Sequence, residues 1–332
     1  MGHGSTAGAS RDGGRGLDLY DGLRVAALGC PLHEDEESVA RDTARLLERW
    51  LRLDPGDAVR QARRRMVLRR DAALHELLLR RMSPRRLDDI LDAIEVEGMP
   101  DDASGRGDGA VLLSLHYSLY SSLLVLWLAR AVTRGLFPHL AILYWATEDG
   151  TPSALADAMR RCDEAGLVRA SALRLVDLGG GPVRATRTVI SAVQEGGAAL
   201  VFADRIGPPG VDARSVTVTI GERPLGIARG VPWLVHAAGC AVIPVHIRPC
   251  GNRHRIVFGR PLQPGDGGGA ADVVRAALQH LLDETVRVDP GPWDGWPALV
   301  DVPDPGIPVY PQGERPWSIS PARGPSTRTS AR

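Results

Sequence analysis

The stretch "AVLLSLHYSLYSS" (residues 110–122) joins two apolar runs through one histidine, His116. The first run, residues 110–115, is short and aliphatic, which is typical of a buried strand. The second, from residue 118 to 133, is long enough to predict a helix. His116 therefore lies at a strand-to-helix junction. It is either a catalytic base at the end of a strand or a core histidine whose ring is satisfied by a backbone hydrogen bond.

The alternation of short strands and helices continues to about residue 286. Further strands are predicted at residues 140–145, 173–178, 198–204, 215–220, 241–247 and 254–259, and helices at 153–167, 183–197, 231–239 and 271–286. Strands alternating with crossover helices indicate an α/β fold with a mostly parallel central sheet flanked by helices. Ligands of such sheets bind beyond the carboxyl ends of the strands. His116 and Asp204 both fall at such ends, so we expect them in one site.

The chain before this alternation predicts a helical region. The pattern is helical from about Glu37 to Val96, and Ser83 followed by Pro84 is typical of an N-cap with proline at the first helical position. Residues 1–18 and 303–332 have compositions typical of disorder. We therefore predict an N-terminal helical region at 19–105 that packs as one unit with an α/β domain at 106–302.

Composition narrows the class of protein. The 40 basic residues are all arginine and balance 40 acidic residues, so the bulk charge predicts no DNA partner. No signal peptide is recognisable near the start, and no apolar window reaches the ~18 residues that would span a bilayer. The four cysteines are scattered, which favours reduced thiols. These features predict a soluble, cytoplasmic protein.

Several chemistries lack their signatures in this sequence. There is no phosphate-binding loop ending in Gly-Lys-Ser/Thr, no dinucleotide fingerprint and no nucleophile elbow. The cysteines and histidines also lack metal-ligand spacing. We therefore expect neither a metal ion nor an organic cofactor.

Two further clusters accompany His116. Asp204 and Arg205 end a strand and open a Gly/Pro loop, either as a surface turn with a local ion pair or as a pair that recognises an anion or supports the histidine. Arg229 and Gly230 precede a helix. That helix is either ordinarily capped, or its N-terminus binds an anion or a developing oxyanion.

Four blocks in order resemble the lysophospholipid acyltransferase superfamily, in particular the branch of the late acyltransferases of lipid A biosynthesis and the phosphatidylinositol mannoside acyltransferases. They are "GDGAVLLSLHYSLYSSLL", "GGAALVFADRIGPPG", "SVTVTIGERPLGIARGVPWLVHAAGCAVIPVHI" and "DPGPWDGWPAL", and together they cover about residues 85–300. The first is similar to the family's histidine motif, and the last resembles its closing tryptophan segment.

The resemblance implies an acyltransferase in which His116 is the general base that deprotonates the acceptor. Glu222 would line the acceptor or support pocket; the site prediction counts it among the catalytic residues and Tyr120 among the substrate-binding residues. Asp204 and Arg205 would line the acceptor pocket or support the histidine. Arg229 and Gly230 would lie on the oxyanion or phosphate side.

The sequence departs from the family pattern at Ser121, which occupies the position of the motif's carboxylate five residues after His116. A hydroxyl accepts a hydrogen bond but does not stabilise an imidazolium as a carboxylate does. Three outcomes follow: another acid (Asp204, Glu222 or Glu148) takes the role, the acceptor is intrinsically nucleophilic, or catalysis is lost. The site prediction therefore retains Ser121 as its third catalytic member.

The resemblance also implies an anionic acyl donor: acyl carrier protein, an acyl-CoA thioester or an aminoacyl-tRNA. The arginine-rich stretch at residues 60–86 predicts a docking surface for it, centred on Arg63, Arg64 and Arg69, or else a solvated helix face. The family's membrane-anchoring helix and its basic residues after the tryptophans are not found. This favours a small amine, hydroxylamine or alcohol acceptor of specialised metabolism such as antibiotic biosynthesis. The alternatives are a peripheral enzyme that acylates lipid or glycolipid at the inner face of the plasma membrane, a non-catalytic binding protein, and a different α/β enzyme.

Overall fold

The computed structural model describes residues 30–99, 109–117, 120–144, 154–177, 182–204, 216–227, 230–250, 253–265 and 268–299. The chain divides into two compact units, Met1–Val302 and Pro303–Arg332, and every described residue belongs to the first. The segments predicted to be disordered, 1–18 and 303–332, lie outside the described residues.

The described elements follow the predicted alternation. The helices are α1 (Glu34–Leu51), α2 (Pro55–Arg81), α3 (Pro84–Asp92), α4 (Tyr120–Thr133), α5 (Ala154–Glu164), α6 (Pro182–Gln194), α7 (Val231–Ala238) and α8 (Ala270–Glu284). The strands are β1 (Glu95–Glu97), β2 (Ala110–Ser114), β3 (Leu140–Tyr144), β4 (Leu173–Asp177), β5 (Ala198–Phe202), β6 (Val216–Ile220), β7 (Arg223–Ile227), β8 (Ala241–Cys250) and β9 (Arg253–Phe258). Short 3₁₀ turns lie at Ala170–Ala172 and Trp296–Leu299.

Seven of the described strands form one sheet in the order β1-β9-β8-β2-β5-β3-β4. All neighbours are parallel except β8 and β9, which pair antiparallel. Helices flank the sheet: α4 and α8 pack against β8, while α6 packs against β3 and β5. The predicted α/β class with a mostly parallel central sheet and an N-terminal helical region is confirmed.

The helical region is interrupted more often than its pattern predicted. Its first break follows α1, where Arg52 adopts a left-handed conformation (φ 54°). The second lies at Ser83, whose Oγ accepts a hydrogen bond from the backbone N–H of Arg86 at 3.3 Å, and Pro84 opens α3 as predicted. The predicted helical end near Val96 is wrong. Residues 95–97 form β1, because the edge of β9 offers backbone hydrogen bonds there.

A separate two-stranded hairpin, β6–β7, follows the sheet's fifth strand. The sequence predicted β6 but not β7, because Pro224 and Gly226 weaken the strand pattern of residues 223–227. The strands join at Gly221, whose φ of +60° suits glycine. A Cβ there would lie 2.3 Å from the carbonyl oxygen of Trp50, so the hairpin also approaches the end of α1 closely.

Two neighbouring parallel strands position the candidate site. All five residues of β2 are buried. Its last residue, Ser114, is in register with Phe202 at the end of β5. The ladder continues past both strands, since the N–H of Ala203 donates to the carbonyl of Ser114 at 2.9 Å. The chains leaving β2 and β5 therefore remain side by side at the carboxyl edge of the sheet. None of the helices in the described ranges is long and apolar enough to cross a membrane.

Candidate active site

His116 and Asp204 form a hydrogen-bonded pair at this edge. The imidazole Nδ1 lies 2.6 Å from Oδ1 of Asp204, and the backbone N–H of His116 donates to Oδ2 of the same carboxylate at 2.8 Å. The carboxylate is buried, whereas 54% of the histidine side chain is exposed. The contact fixes Nδ1 against the acid, so the ring offers Nε2 as its second nitrogen. The arrangement is that of a general base oriented by a carboxylate.

The imidazole is also held by contacts on its face and through its backbone. Phe202 stacks on the ring, with centroids 4.5 Å apart and an angle of 26° between the planes. The carbonyl oxygen of His116 accepts a hydrogen bond from the backbone N–H of Asp294 at 3.0 Å. These contacts leave the ring little freedom to turn away from Asp204.

The electrostatic environment makes the imidazole a stronger base. Partial burial of the ring, which is about half exposed, lowers the pKa of His116, whereas the charge of Asp204, the hydrogen bond to it and the charge of Asp294 raise it. The net result is a pKa above the ordinary value of histidine. A neutral imidazole in this setting therefore accepts a proton more readily than a free one does.

A tryptophan near the C-terminal end of the described residues donates a further hydrogen bond to Asp204. The indole N–H of Trp293 donates to Oδ2 of Asp204 at 3.2 Å. Trp293 belongs to residues 289–299, which we call the closing segment. Its ring is fully buried and meets Trp296 edge to face, with centroids 5.1 Å apart. The closing segment thus reaches the dyad through a side chain at Trp293 and through the backbone at Asp294.

Arginines of α2 hold the closing segment from the opposite side. The buried guanidinium of Arg65 donates to the carbonyl oxygens of Trp293 and Gly291, the latter at 3.3 Å, and lies 3.6 Å from the carboxylate of Asp294. Burial lowers the pKa of Arg65, and the charge of Asp294 opposes that effect. Arg64 donates to Asp289 at 2.6 Å. This part of the basic stretch is therefore engaged within the fold.

Ser121 and Glu222, the two predicted catalytic partners of His116, lie in other contacts. Oγ of Ser121 accepts a hydrogen bond from the backbone N–H of Tyr117 at 3.0 Å, which links Tyr117 to the first turn of α4. Glu222 is exposed on the β6–β7 turn and forms an ion pair with Arg52. The structure brings neither side chain into a described contact with His116. It brings Asp204 there instead.

The predicted substrate-binding residues are distributed unevenly. Tyr120 is buried at the start of α4 and its ring packs against His254, with centroids 5.1 Å apart. Gly230 is the N-cap of α7, with a φ of 87°. Arg205, Arg229 and the alternative acid Glu148 lie outside the described residues.

The three arginines predicted to dock the donor differ in their surroundings. Arg63 is exposed and pairs with Glu37 of α1 at 2.9 Å. Arg64 forms the contact with Asp289 described above. Arg69 is exposed on α2. Arg63 and Arg69 are therefore exposed on α2, whereas Arg64 contacts the closing segment.

Sequence reasoning did not identify Phe202, Trp293, Asp294 or Arg65 as members of the site. A signal existed for Trp293, because a tryptophan within the Pro/Gly-rich stretch "DPGPWDGW" needs a packing partner. Arg65 gave no signal, since it is one of many arginines in α2 and only the tertiary structure shows that it is buried. No cluster of three or more metal-ligating side chains is found in the described part of the chain.

No protein-family model matches this sequence, and no curated protein is similar enough to count as a relative.

Proposed function

We propose that the protein is an acyltransferase in which His116 is the general base and Asp204 orients it. The observation that carries this proposal is the 2.6 Å contact between Nδ1 of His116 and Oδ1 of Asp204, at the edge of the sheet where α/β proteins bind their ligands. The four sequence blocks that resemble acyltransferases supply the reaction class, and the dyad supplies a base suited to it. Asp204 provides the carboxylate that Ser121 cannot, which favours an enzyme over a non-catalytic binding protein.

The proposed step transfers one acyl group and one proton. Nε2 of His116 removes the proton of an acceptor hydroxyl or amine while the acceptor oxygen or nitrogen attacks the acyl carbonyl carbon. The tetrahedral intermediate collapses with cleavage of the carbon–sulfur bond of a thioester, or of the ester carbon–oxygen bond of an aminoacyl-tRNA. The imidazolium then returns its proton to the departing thiolate or ribose oxygen. The carboxylate of Asp204 stabilises the imidazolium while the proton is on the ring.

The dyad widens the range of acceptors. A site with only Ser121 would favour an intrinsically nucleophilic amine or hydroxylamine. With a carboxylate on the imidazole, an alcohol is an equally suitable acceptor, because base assistance lowers the barrier for a hydroxyl that ionises poorly. The donor class is an activated, anionic acyl carrier. Lipid or glycolipid hydroxyls at a membrane surface could be acylated by the same reaction, and the assay therefore includes lipid vesicles as acceptors.

The test is a matrix of donors and acceptors read by mass spectrometry, with thiol release as a second readout. Donors are acyl-CoA, acyl carrier protein and charged tRNA; acceptors are amines, hydroxylamines, alcohols and lipid vesicles. We expect acyl transfer with one donor class and loss of transfer in His116→Ala and Asp204→Asn. His236→Ala, which removes an exposed histidine of α7, is the matched control. Full activity in His116→Ala would reject His116 as the base, and no transfer with any pair would reject the acyltransferase assignment.

A further inference from the structure

The carboxylate of Asp204 uses its two oxygens differently. Oδ1 faces Nδ1 of His116. Oδ2 accepts two N–H groups, one from the backbone of His116 at 2.8 Å and one from the indole of Trp293 at 3.2 Å. The backbone donor and the imidazole both belong to His116, so Trp293 is the one described donor that reaches this carboxylate from another element.

Packing around the ring and a hydrogen bond to its backbone restrict the orientation of the indole. Its ring is fully buried and lies edge to face with Trp296, at 79° between the planes. A Cβ at position 295 would come within 2.2 Å of the indole, so Gly295 leaves the ring its space. The carbonyl of Trp293 accepts a hydrogen bond from Arg65, whose guanidinium is itself buried. The donor N–H therefore has a set direction before any substrate arrives.

We propose that Trp293 is a positioning residue of the dyad formed by His116 and Asp204. Arg65 of α2 holds the backbone of Trp293, and the indole N–H holds Oδ2 of Asp204 in place. The hydrogen bond also partly offsets the negative charge of the carboxylate, and this sets the strength of His116 as a base. This deepens the proposed function and rests on it for its catalytic meaning. The effect of Trp293 on the pKa of His116 is a property of the protein without substrate.

The sign of the effect follows from the dipole of the indole. Its positive hydrogen end points at the carboxylate, so it partly offsets the charge that stabilises the imidazolium. Removing the N–H leaves a more strongly negative carboxylate opposite the ring and raises the pKa of His116. Loosening of the site has the opposite sign, because a carboxylate that moves away from Nδ1 no longer favours the imidazolium. The other charged groups described around the dyad are Asp294 from the closing segment and Arg65 from α2.

The test measures the pKa of His116 by nitrogen-15 and proton NMR in Trp293→Phe, with the resonance assigned through His116→Gln. Trp296→Phe is the matched control: it keeps an aromatic ring against Trp293 and removes only an indole N–H whose acceptor is the carbonyl of Pro290 at 2.7 Å rather than Asp204. We expect an upward shift of the His116 pKa in Trp293→Phe and none in Trp296→Phe. An unchanged or lowered pKa in Trp293→Phe, or the same shift in both variants, would overturn the proposal.

A measurement on the unmodified chain covers the case in which Trp293→Phe does not fold. One indole N–H resonance among the seven tryptophans should titrate with the same midpoint as His116, and it should lose that transition in Asp204→Asn. Absence of such a resonance would also overturn the proposal. Neither measurement uses a substrate. Failure of the transfer assay therefore bears on the acyltransferase function, whereas failure here bears on Trp293.

Discussion

His116 and Asp204 each lie two residues beyond the ends of paired parallel strands, and Nδ1 of the first is 2.6 Å from Oδ1 of the second. The pair is a product of strand register. Because Ser114 is opposite Phe202, the residues two positions later emerge together at the carboxyl edge of the sheet. A slip of register by one residue would move one side chain to the other face and separate base from acid.

The first prediction concerns Asp204→Asn and the pH dependence of transfer. The proposed base, His116, is active only when it is neutral, so kcat/KM should fall as the pH drops through its pKa. Because this pKa is raised, we expect the acid limb of the pH profile at a higher pH than an ordinary histidine would give. Asparagine removes the charge that raises the pKa and leaves the burial that lowers it. We expect the acid limb of the pH profile to move to lower pH, and the plateau value of kcat/KM to fall about 100- to 10,000-fold. A plateau loss without movement of the limb would argue against the dyad.

The second prediction concerns Ser121→Ala. The hydroxyl accepts the backbone N–H of Tyr117, so its removal leaves that donor without its partner and lowers the free energy of unfolding by about 1 kcal/mol. We expect kcat/KM to fall by less than about tenfold, far less than in Asp204→Asn, because Asp204 contacts the imidazole. Parallel kinetics and urea titrations of the two variants check this. Losses of equal size would return Ser121 to the role of catalytic partner.

The order of strands and helices was predictable because β2 and β5 are short apolar runs and β8 begins as one, and such runs are typical of buried strands. The same reasoning brought His116 and Asp204 to one edge of the sheet. That reasoning did not decide which of three acids contacts His116, because the choice depends on the register between strands that lie far apart in sequence. The fold settles the question for Glu222, because the hairpin directs its carboxylate to Arg52.

The outer part of the site was not predictable. Trp293 and Asp204 are 89 residues apart, and Arg65 and Trp293 are 228 apart. No local propensity or periodicity links such residues. Their contacts form because a buried guanidinium needs acceptors, and the backbone carbonyls of a Pro/Gly-rich segment provide them. Only the packed fold shows which of the many arginines in α2 is the buried one.

The third prediction concerns donor docking by α2. If exposed arginines steer an anionic donor, kcat/KM falls by about tenfold between roughly 0.05 and 0.5 M salt, and Arg69→Gln together with Arg63→Gln flattens that dependence. Arg64 is unsuitable for this test because it pairs with Asp289. Arg45→Gln, on the exposed surface of α1, is the matched control and should leave the salt slope unchanged. Salt-independent rates in the unmodified protein would rule out electrostatic docking.

The fourth prediction concerns Arg65→Met, which tests the connection between α2 and the closing segment. Methionine fills much of the same space but leaves the carbonyls of Gly291 and Trp293 without their donor and removes the guanidinium that lies 3.6 Å from the carboxylate of Asp294. A buried carbonyl that loses its donor destabilises the fold by more than the net free energy of the hydrogen bond itself. We therefore expect the free energy of unfolding, measured in urea titrations, to fall by about 3 kcal/mol.

Arg63→Met on the same helix is the control for this change. Its ion pair with Glu37 is exposed to solvent, so its loss should cost no more than about 1 kcal/mol. Both variants change the helix propensity and the net charge in the same way. The difference between their free energies of unfolding therefore reports the buried contact alone. If Arg65→Met were as mild as Arg63→Met, the other contacts of the closing segment, such as Arg64 with Asp289, would be enough to hold it. The guanidinium would then have no part in placing Trp293 against Asp204.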